Sequence, residues 1–470
     1  YLDVRPERAA LLRRMVGEGR LAIGPWYVLA DELLAGDEPL VRNLLMGRHR
    51  AAALGGWLAV GYSPDAFGHP EALPAILRGF GIETAVLWRG YGGRPGEDRD
   101  LFTWAAPDGS TVLTHHLPPA GYEYGAELPA GRRDAGARWQ VLAAVLVPRA
   151  VVPVLLVMNG ADHHGLQPDL RKALRALRAV SPDTDVTIGT LDDYFAAVRA
   201  ALGRADAPAP RRVSGELRWS YGHTWTLQGV AATRTALKQV VAEGAALLTR
   251  WAEPQAALAV GMRDWRAGLA LAWRVHLTNL THDVLAGCVS DDVADDVQAR
   301  ARQVVGQARG TLTDALDARL GQDPVRRRRE RANRVPSLVL VNPSPRTRGG
   351  VVEATLTVAR QPVVVGRPAP SVPPAPFEPV HVVTATGVTV PMQVLGVTDA
   401  YERIDSPRDY PESTRVWAVR VAVLSDGVPP FGLTRLDVRA GTGGRPSVAD
   451  PVRASASGVT ASWGQAVVTT

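Results

Sequence analysis

Residues 1 to about 205 alternate between helical and strand-like patterns, and this alternation constrains the fold more than any other feature of the chain. Glu7–Glu18 carries Leu11, Leu12 and Met15 at helical spacing, and Leu21–Val28 then reads as a strand. Leu40–Leu54 is helical again and Leu58–Val60 is a short strand. Further strands are expected at Thr84–Trp88, Thr111–Leu117, Val151–Met158 and Asp185–Ile188, with helices at Leu170–Val180 and Leu191–Leu202. Alternation of this kind predicts a mostly parallel sheet with crossover helices. Polar residues cluster where strands should end, namely Asp31, Glu32, Asp65, Arg89 and Asp162. A charge at the C-terminal lip of a strand is where a β/α barrel keeps its chemistry. Residues 1–206 are therefore read as a β/α barrel.

The texture changes twice more. Ala207–Arg211 reads as a linker, followed by an aromatic loop, Trp219–Trp225. Three helical patterns follow within 212–325. The first has Val230, Leu237, Val240 and Leu248 on one face, and the second runs from Trp265 to Leu280. The third opens at Ser290 with Asp291 and Asp292 in its first turn, so a three-helix bundle is expected. From 336 to 470, valine-rich strands alternate with Pro- and Gly-rich turns such as Pro362–Pro379. The strands are Ser337–Val341, Gly350–Val358, Val380–Val390 and Thr414–Val423, and they predict a β-sandwich.

Composition excludes several classes. At 470 residues the chain is too long for one core. With 46% hydrophobic and 21% charged residues it is an ordinary globular composition. The longest apolar stretch, Val141–Asn159, is broken by Pro148, Arg149 and Pro153, so no membrane span is expected. The net charge of +6 comes from scattered arginines, and Arg326–Arg329 is the one dense basic run. No aromatic residues interleave with that run, which argues against nucleic acid as a partner. Cys288 is the sole cysteine, so no disulfide forms within the chain, and a reducing cytoplasm is the expected compartment. The chain opens on Tyr1 without a methionine and stops at Thr470 in a strand-like run, and on this reading both ends look cut.

The segment Gly61-Tyr62-Ser63-Pro64-Asp65-Ala66-Phe67-Gly68-His69 closes an apolar strand and presents a carboxylate. It resembles the nucleophile region of the glycoside hydrolase family 38 α-mannosidases. Four further blocks resemble that family in order. They are Gly24-Pro25-Trp26-Tyr27-Val28 with Asp31-Glu32, then Val41-Arg42-Asn43-Leu44-Leu45, then Asn159-Gly160-Ala161-Asp162-His163, then Leu280-Thr281-His282-Asp283-Val284 through Cys288. Val341-Asn342-Pro343 fits the opening of the family's β-domain.

The resemblance implies a zinc-dependent, retaining exo-α-mannosidase acting on terminal α-mannosyl residues. Asp65 matches the nucleophile, which in the family also binds Zn²⁺, and Asp162 matches the acid/base position. His282 matches a second zinc ligand, and Asp283 could orient that imidazole or bind a sugar hydroxyl. The family's remaining two ligands come from a His-x-Asp motif on a first barrel strand. No such motif precedes Asp65, so the barrel is expected to be seven-stranded with its first strand missing. Residues 1–470 alone are then expected to bind zinc weakly and to turn over little. Arg89, Trp88, Trp104, His163 and Asp283 are candidate sugar-pocket residues, with packing the alternative for Arg89, Trp88 and Trp104. Trp219, Tyr221 and Trp225 either stack on sugar or seal an interface. Of His115 and His116, neighbours on a strand, at most one can reach the pocket. Cys288 is expected to be buried. The partner is a carbohydrate with terminal α-mannose, and family members are often homo-oligomers. Alternatives are a metal-dependent carbohydrate deacetylase, which needs an Asp-His-His triad and no second carboxylate, and a non-catalytic sugar-binding protein.

Overall fold

A computed structural model of the chain describes residues 1–220, 222–224, 228–323, 336–363, 375–404, 410–443, 453–455 and 458–460. The basic run Arg326–Arg329 and the aromatic residues Tyr221 and Trp225 lie outside the described residues. The chain divides into two compact units, Tyr1–Thr249 with Arg266–Arg309, and Arg250–Trp265 with Gly310–Thr470. No helix among the described residues is long and apolar enough to cross a membrane.

The first unit is built on a five-stranded sheet in the order β1-β2-β4-β3-β5. Its strands are β1 (Val60–Ser63), β2 (Thr84–Leu87), β3 (Leu101–Ala105), β4 (Thr111–His116) and β5 (Arg211–Ser214). β1, β2 and β4 run parallel, while β3 is antiparallel to β4 and parallel to β5. β1 and β5 are its two edges, so the described sheet is open and has five strands, where a seven-stranded barrel lacking its first strand was expected. β5 takes up the end of the segment read as a linker, and β3 was not anticipated. Helices Asp37–Ala52, Arg132–Arg149, Leu170–Val180 and Leu191–Leu202 accompany the sheet. The core beneath the site is fully buried and includes Leu77, Ala85, Leu87, Phe102 and Trp104.

Three expected strands are not strands. Leu21–Val28 has no regular secondary structure, and its backbone finds other partners. The Tyr27 and Val28 amides donate to Asn43 Oδ1 at 2.8 and 3.0 Å, and Asn43 Nδ2 donates to the Val28 carbonyl at 2.9 Å. Asn43 has no solvent exposure. Each group left unpaired by its loss would cost about 1–3 kcal/mol. A Cβ at Gly47 would clash with the Pro25 carbonyl, which lets this segment lie flat on the helix. Val151–Met158 packs its side chains against Leu58 and Val60 as a strand would, but pairs with no ladder. Its Val151 amide donates to Asp100 Oδ1 at 2.8 Å and Pro153 has no amide hydrogen to give. Asp185–Ile188 is likewise irregular, with the Val186 carbonyl taken by Arg178 Nε at 2.7 Å.

The helical patterns after the sheet are helices Thr235–Leu247, Arg266–Thr278 and Asp291–Arg319. Gly244 of the first meets Val304 of the third and His276 of the second so closely that a Cβ would lie 3.1 Å from Val304. Arg309 pairs with Glu243 at 2.6 Å, and Arg300 Nε donates to Asn279 Oδ1 at 3.0 Å.

In the second unit the valine-rich runs form two three-stranded sheets. One is β7 (Arg348–Pro362), β10 (Glu412–Val428) and β9 (Met392–Ile404). The other is β6 (Ser337–Val341), β11 (Leu433–Ala440) and β8 (Val380–Val383). Val419, Val421 and Val423 alternate along β10 and share a core with Leu436 and Val438 of β11, so the sheets stack as a sandwich.

Candidate functional site

The register of two parallel strands builds the centre. Ser63 of β1 pairs with Leu87 of β2. Asp65 and Arg89 each lie two residues beyond that pair, so they leave neighbouring strands side by side at the C-terminal edge. Arg89 Nε donates to Asp65 Oδ1 at 2.5 Å. The guanidinium stacks over Trp88 with its carbon 4.2 Å from the ring centroid, and faces Phe67 at 5.5 Å. Arg89 is only 4% exposed, and its guanidinium is engaged by Asp65 and by the faces of Trp88 and Phe67.

His282 reaches the same carboxylate from the far end of this unit's chain. Its Nε2 lies 3.4 Å from Asp65 Oδ2 and 3.7 Å from Asp283 Oδ2. Its amide and Nδ1 both face the Leu29 carbonyl, at 2.9 and 3.1 Å, which fixes the ring. Ala30 and Thr281 form an isolated bridge beside it.

Tyr122 is the residue that sequence reading missed. It lies in a short 3-10 turn, Gly121–Glu123, soon after β4 ends. Gly121 has φ +68, and a Cβ there would sit 2.6 Å from the Trp88 ring, so glycine is required for the turn to lie on that indole. Tyr122 packs edge-on to Trp88, and its hydroxyl faces Asp65 Oδ2 at 3.1 Å and Asp162 Oδ2 at 2.9 Å. Those contacts place the two carboxylate oxygens no more than 6.0 Å apart. The Asp162 amide donates to Glu123 Oε1 at 2.9 Å, so the one turn holds both the side chain and the backbone of Asp162. The usable signal was position: Tyr122 follows a sheet strand at the same edge as Asp65.

The electrostatics follow the contacts. Burial alone would raise the Asp65 pKa, but the His282 hydrogen bond and the Arg89 charge outweigh it and hold it below the ordinary 3.8. Burial would lower His282, but Asp65, the Leu29 carbonyl and Asp283 raise it above 6.5. Tyr122 is raised, by burial first and then by the two aspartates. Tyr62, on β1, is pushed up to about 12 by burial and the same pair.

The donor set bears on a metal. Two donors bound at about 2.0–2.2 Å to a tetrahedral ion stand about 3.3–3.6 Å apart. Asp65 Oδ2 and His282 Nε2, at 3.4 Å, fit that spacing. No group of three His, Cys, Asp or Glu side chains surrounds a common point among the described residues. The structure thus brings together two side chains at a spacing that a tetrahedral ion could span.

Other expected residues fall elsewhere. Trp104 has no exposed surface, donates to the Gly215 carbonyl at 3.1 Å and lies in the core, so it cannot contact a sugar. His163 is exposed next to Asp162 with φ +61, and Asp283 is half exposed beside His282. Neither His115 nor His116 reaches the pocket. His115 Nδ1 meets the Tyr194 hydroxyl at 2.8 Å, and His116 Nε2 donates to the Trp88 carbonyl at 3.0 Å. Cys288 is exposed and not buried, because Gly287 in the left-handed region ends helix His282–Ala286 and turns the chain outward. Trp219 is half exposed.

Residues 1–214 match the glycosyl hydrolases family 38 N-terminal domain, and residues 224–318 match the alpha mannosidase middle domain. A Halalkalibacterium halodurans protein named as a mannosylglycerate hydrolase is 32% identical over 316 residues, covering 65% of this chain and 35% of its own. Alpha-mannosidase G of Dictyostelium discoideum is 22% identical over 319 residues, covering 66% of this chain and 28% of its own. The crystal structure of an alpha-mannosidase from Enterococcus faecalis V583 superposes with a TM-score of 0.83 at 24% identity, over 97% of this chain and 52% of that one. The chain therefore spans about a third of those curated relatives and about half of that solved structure.

Proposed function

We propose a retaining α-mannoside hydrolase for this chain, which belongs to glycoside hydrolase family 38 through the N-terminal domain at residues 1–214 and the middle domain at 224–318. The observation that carries the reading is Tyr122, bridging Asp65 and Asp162 with contacts of 3.1 and 2.9 Å. Retaining glycosidases need carboxyl groups about 5–5.5 Å apart, one attacking and one protonating. A carbohydrate deacetylase needs no such second carboxylate.

Hydrogen counting divides the roles. Tyr122 has one hydroxyl hydrogen and faces two carboxyl groups. It satisfies both if it donates to one and accepts from the other. Asp65, facing Arg89 and His282, is the one held ionised. Asp162, on the other side of the Tyr122 hydroxyl, is then the carboxyl assigned to serve the leaving group. In the first step the Asp65 carboxylate attacks the mannosyl anomeric carbon while Asp162 gives its proton to the departing oxygen. In the second, Asp162 takes a proton from water as that water cleaves the mannosyl–Asp65 ester, which restores both groups.

Asp65 and His282 would contribute two donors to a Zn²⁺ ion, whose chemistry is to bind adjacent sugar hydroxyls and stabilise charge. Asp283, beside His282 and partly exposed, is placed to meet sugar hydroxyls, and His163 to meet the aglycone. The substrate class is a terminal α-mannoside of an oligosaccharide or of a small molecule such as mannosylglycerate, the compound in the name of one relative.

The test is turnover of an aryl α-mannoside and of mannosylglycerate by the protein, before and after chelation, with the product anomer read by NMR. Release of the α-anomer supports the reading, and inversion or no turnover removes it. Titrating residues 1–470 with Zn²⁺ should show weak binding. Tight stoichiometric binding would mean that other donors, such as His163 or His164, complete the site.

A further inference from the structure

Beneath Asp65 lies a second polar cluster with no access to substrate. Glu32, Ser63 and His69 are 3%, 2% and 0% exposed. Ser63 Oγ donates to Glu32 Oε1 at 2.6 Å, and His69 Nδ1 lies 2.6 Å from Glu32 Oε2. His69 Nε2 faces the Arg89 carbonyl at 3.2 Å, and the His69 backbone exchanges two hydrogen bonds with Leu217 at 2.8 and 2.9 Å.

The hydrogens can be counted. The Arg89 carbonyl only accepts, so His69 Nε2 carries a hydrogen. Two acceptors at 2.6 Å would repel, so one further hydrogen lies between His69 Nδ1 and Glu32 Oε2. The pair is net neutral, as deep burial demands. Its contacts touch the last residue of β1, two before Asp65, and the backbone of Arg89, whose side chain grips Asp65. The cluster therefore ties together the two strand ends on which the Asp65–Arg89 contact depends.

We propose that Glu32 and His69 are positioning residues that fix Asp65 and Arg89 in attacking geometry, an inference resting on the glycosidase reading above. Misplacing a reacting group by about 1 Å can cost about 100-fold in rate. Glu32→Gln keeps every hydrogen bond, because its amide donates to Nδ1 of a neutral His69 whose Nε2 still donates to Arg89. Glu32→Leu keeps the volume and loses the cluster.

The experiment compares these variants in the full-length protein, with an aryl α-mannoside as substrate. Glu32→Gln should stay within about threefold of the unaltered protein. Folded Glu32→Leu should lose about 100-fold in kcat, with KM moving less than about threefold. Equal impairment in both variants, or unaltered kcat in folded Glu32→Leu, overturns the proposal. Where Glu32→Leu does not fold, Ser63→Ala decides: a loss of about tenfold in kcat supports the proposal and full activity overturns it. Where the unaltered protein does not hydrolyse mannosides, the glycosidase reading fails on its own, and crystal structures of the variants decide. The 2.5 Å contact from Arg89 to Asp65 should persist in Glu32→Gln and break in Glu32→Leu, and its persistence in both overturns the proposal.

Discussion

Asp65 and Asp162 face one tyrosine, yet the chain supports them in opposite ways. Asp65 leaves a sheet strand, with its side chain 16% exposed and Arg89, His282 and Tyr122 around it. Asp162 is exposed, on a stretch without regular secondary structure, and is tied to the sheet edge through Tyr122 and Glu123. An attacking group profits from rigidity, because its alignment with one carbon sets the rate. An acid that serves a leaving group of variable shape profits from a support that can adjust. The comparison predicts that damage at Asp65 is general and damage at Asp162 depends on the substrate.

The largest effect should be at the rigid end. On the roles proposed above, Asp65→Ala would remove the attacking carboxylate and one of the two proposed metal donors, so kcat/KM on an aryl α-mannoside should fall by about four orders of magnitude or more. A loss below tenfold would move the nucleophile elsewhere. Asp162→Asn should cost about 10²–10⁴ with poor leaving groups and less than about tenfold with activated ones, since only the former need a proton. Equal losses on both would assign Asp162 to binding. Tyr122→Phe should fall between, at about 10–100-fold in kcat, because it unties the acid while leaving Arg89 and His282 on Asp65.

The smallest effect separates site from scaffold. His282 is raised, whereas burial holds His115 at about 3 and His223 and His276 each at about 4. In the unfolded chain these three take up protons near 6.5, which the folded chain refuses. Stability therefore falls as pH drops below about 6.5. His116 is lowered as well and adds to these three, while Asp100, raised by burial to about 6, and the raised His282 act in the opposite sense. A thermal midpoint that declines steadily from pH 7 to 5 would agree. His276→Phe should reduce the slope.

Much of the site was legible because its chemistry is local. A Pro-Asp turn at a strand end stands out by residue type and position, while His282 and Asp283 stood out only through the resemblance of their segment to the family. Tyr122 was not legible, because nothing in Pro-Ala-Gly-Tyr-Glu says which carboxylates its hydroxyl will meet. Trp104 misled because an aromatic residue on a strand suits a sugar pocket and a core equally, and only its neighbours, His69 and Gly215, decide.

The same division runs through the fold. The sequence by itself determined the helices near 9–17, 37–52, 170–180 and 191–202, the strands near 60–63, 84–87 and 111–116, and the change to a valine-rich sandwich. Periodicity and turn chemistry are properties of a few neighbouring residues, and they survive without knowledge of the rest. The tertiary structure alone decided that Leu21–Val28 gives its amides to Asn43 and not to a sheet, and that Val151–Met158 packs without pairing. It also decided that a glutamate and a histidine 37 residues apart meet at 2.6 Å in the interior. An amide or an imidazole will bond to any acceptor of suitable geometry, and which acceptor arrives is settled by packing between segments distant in the chain.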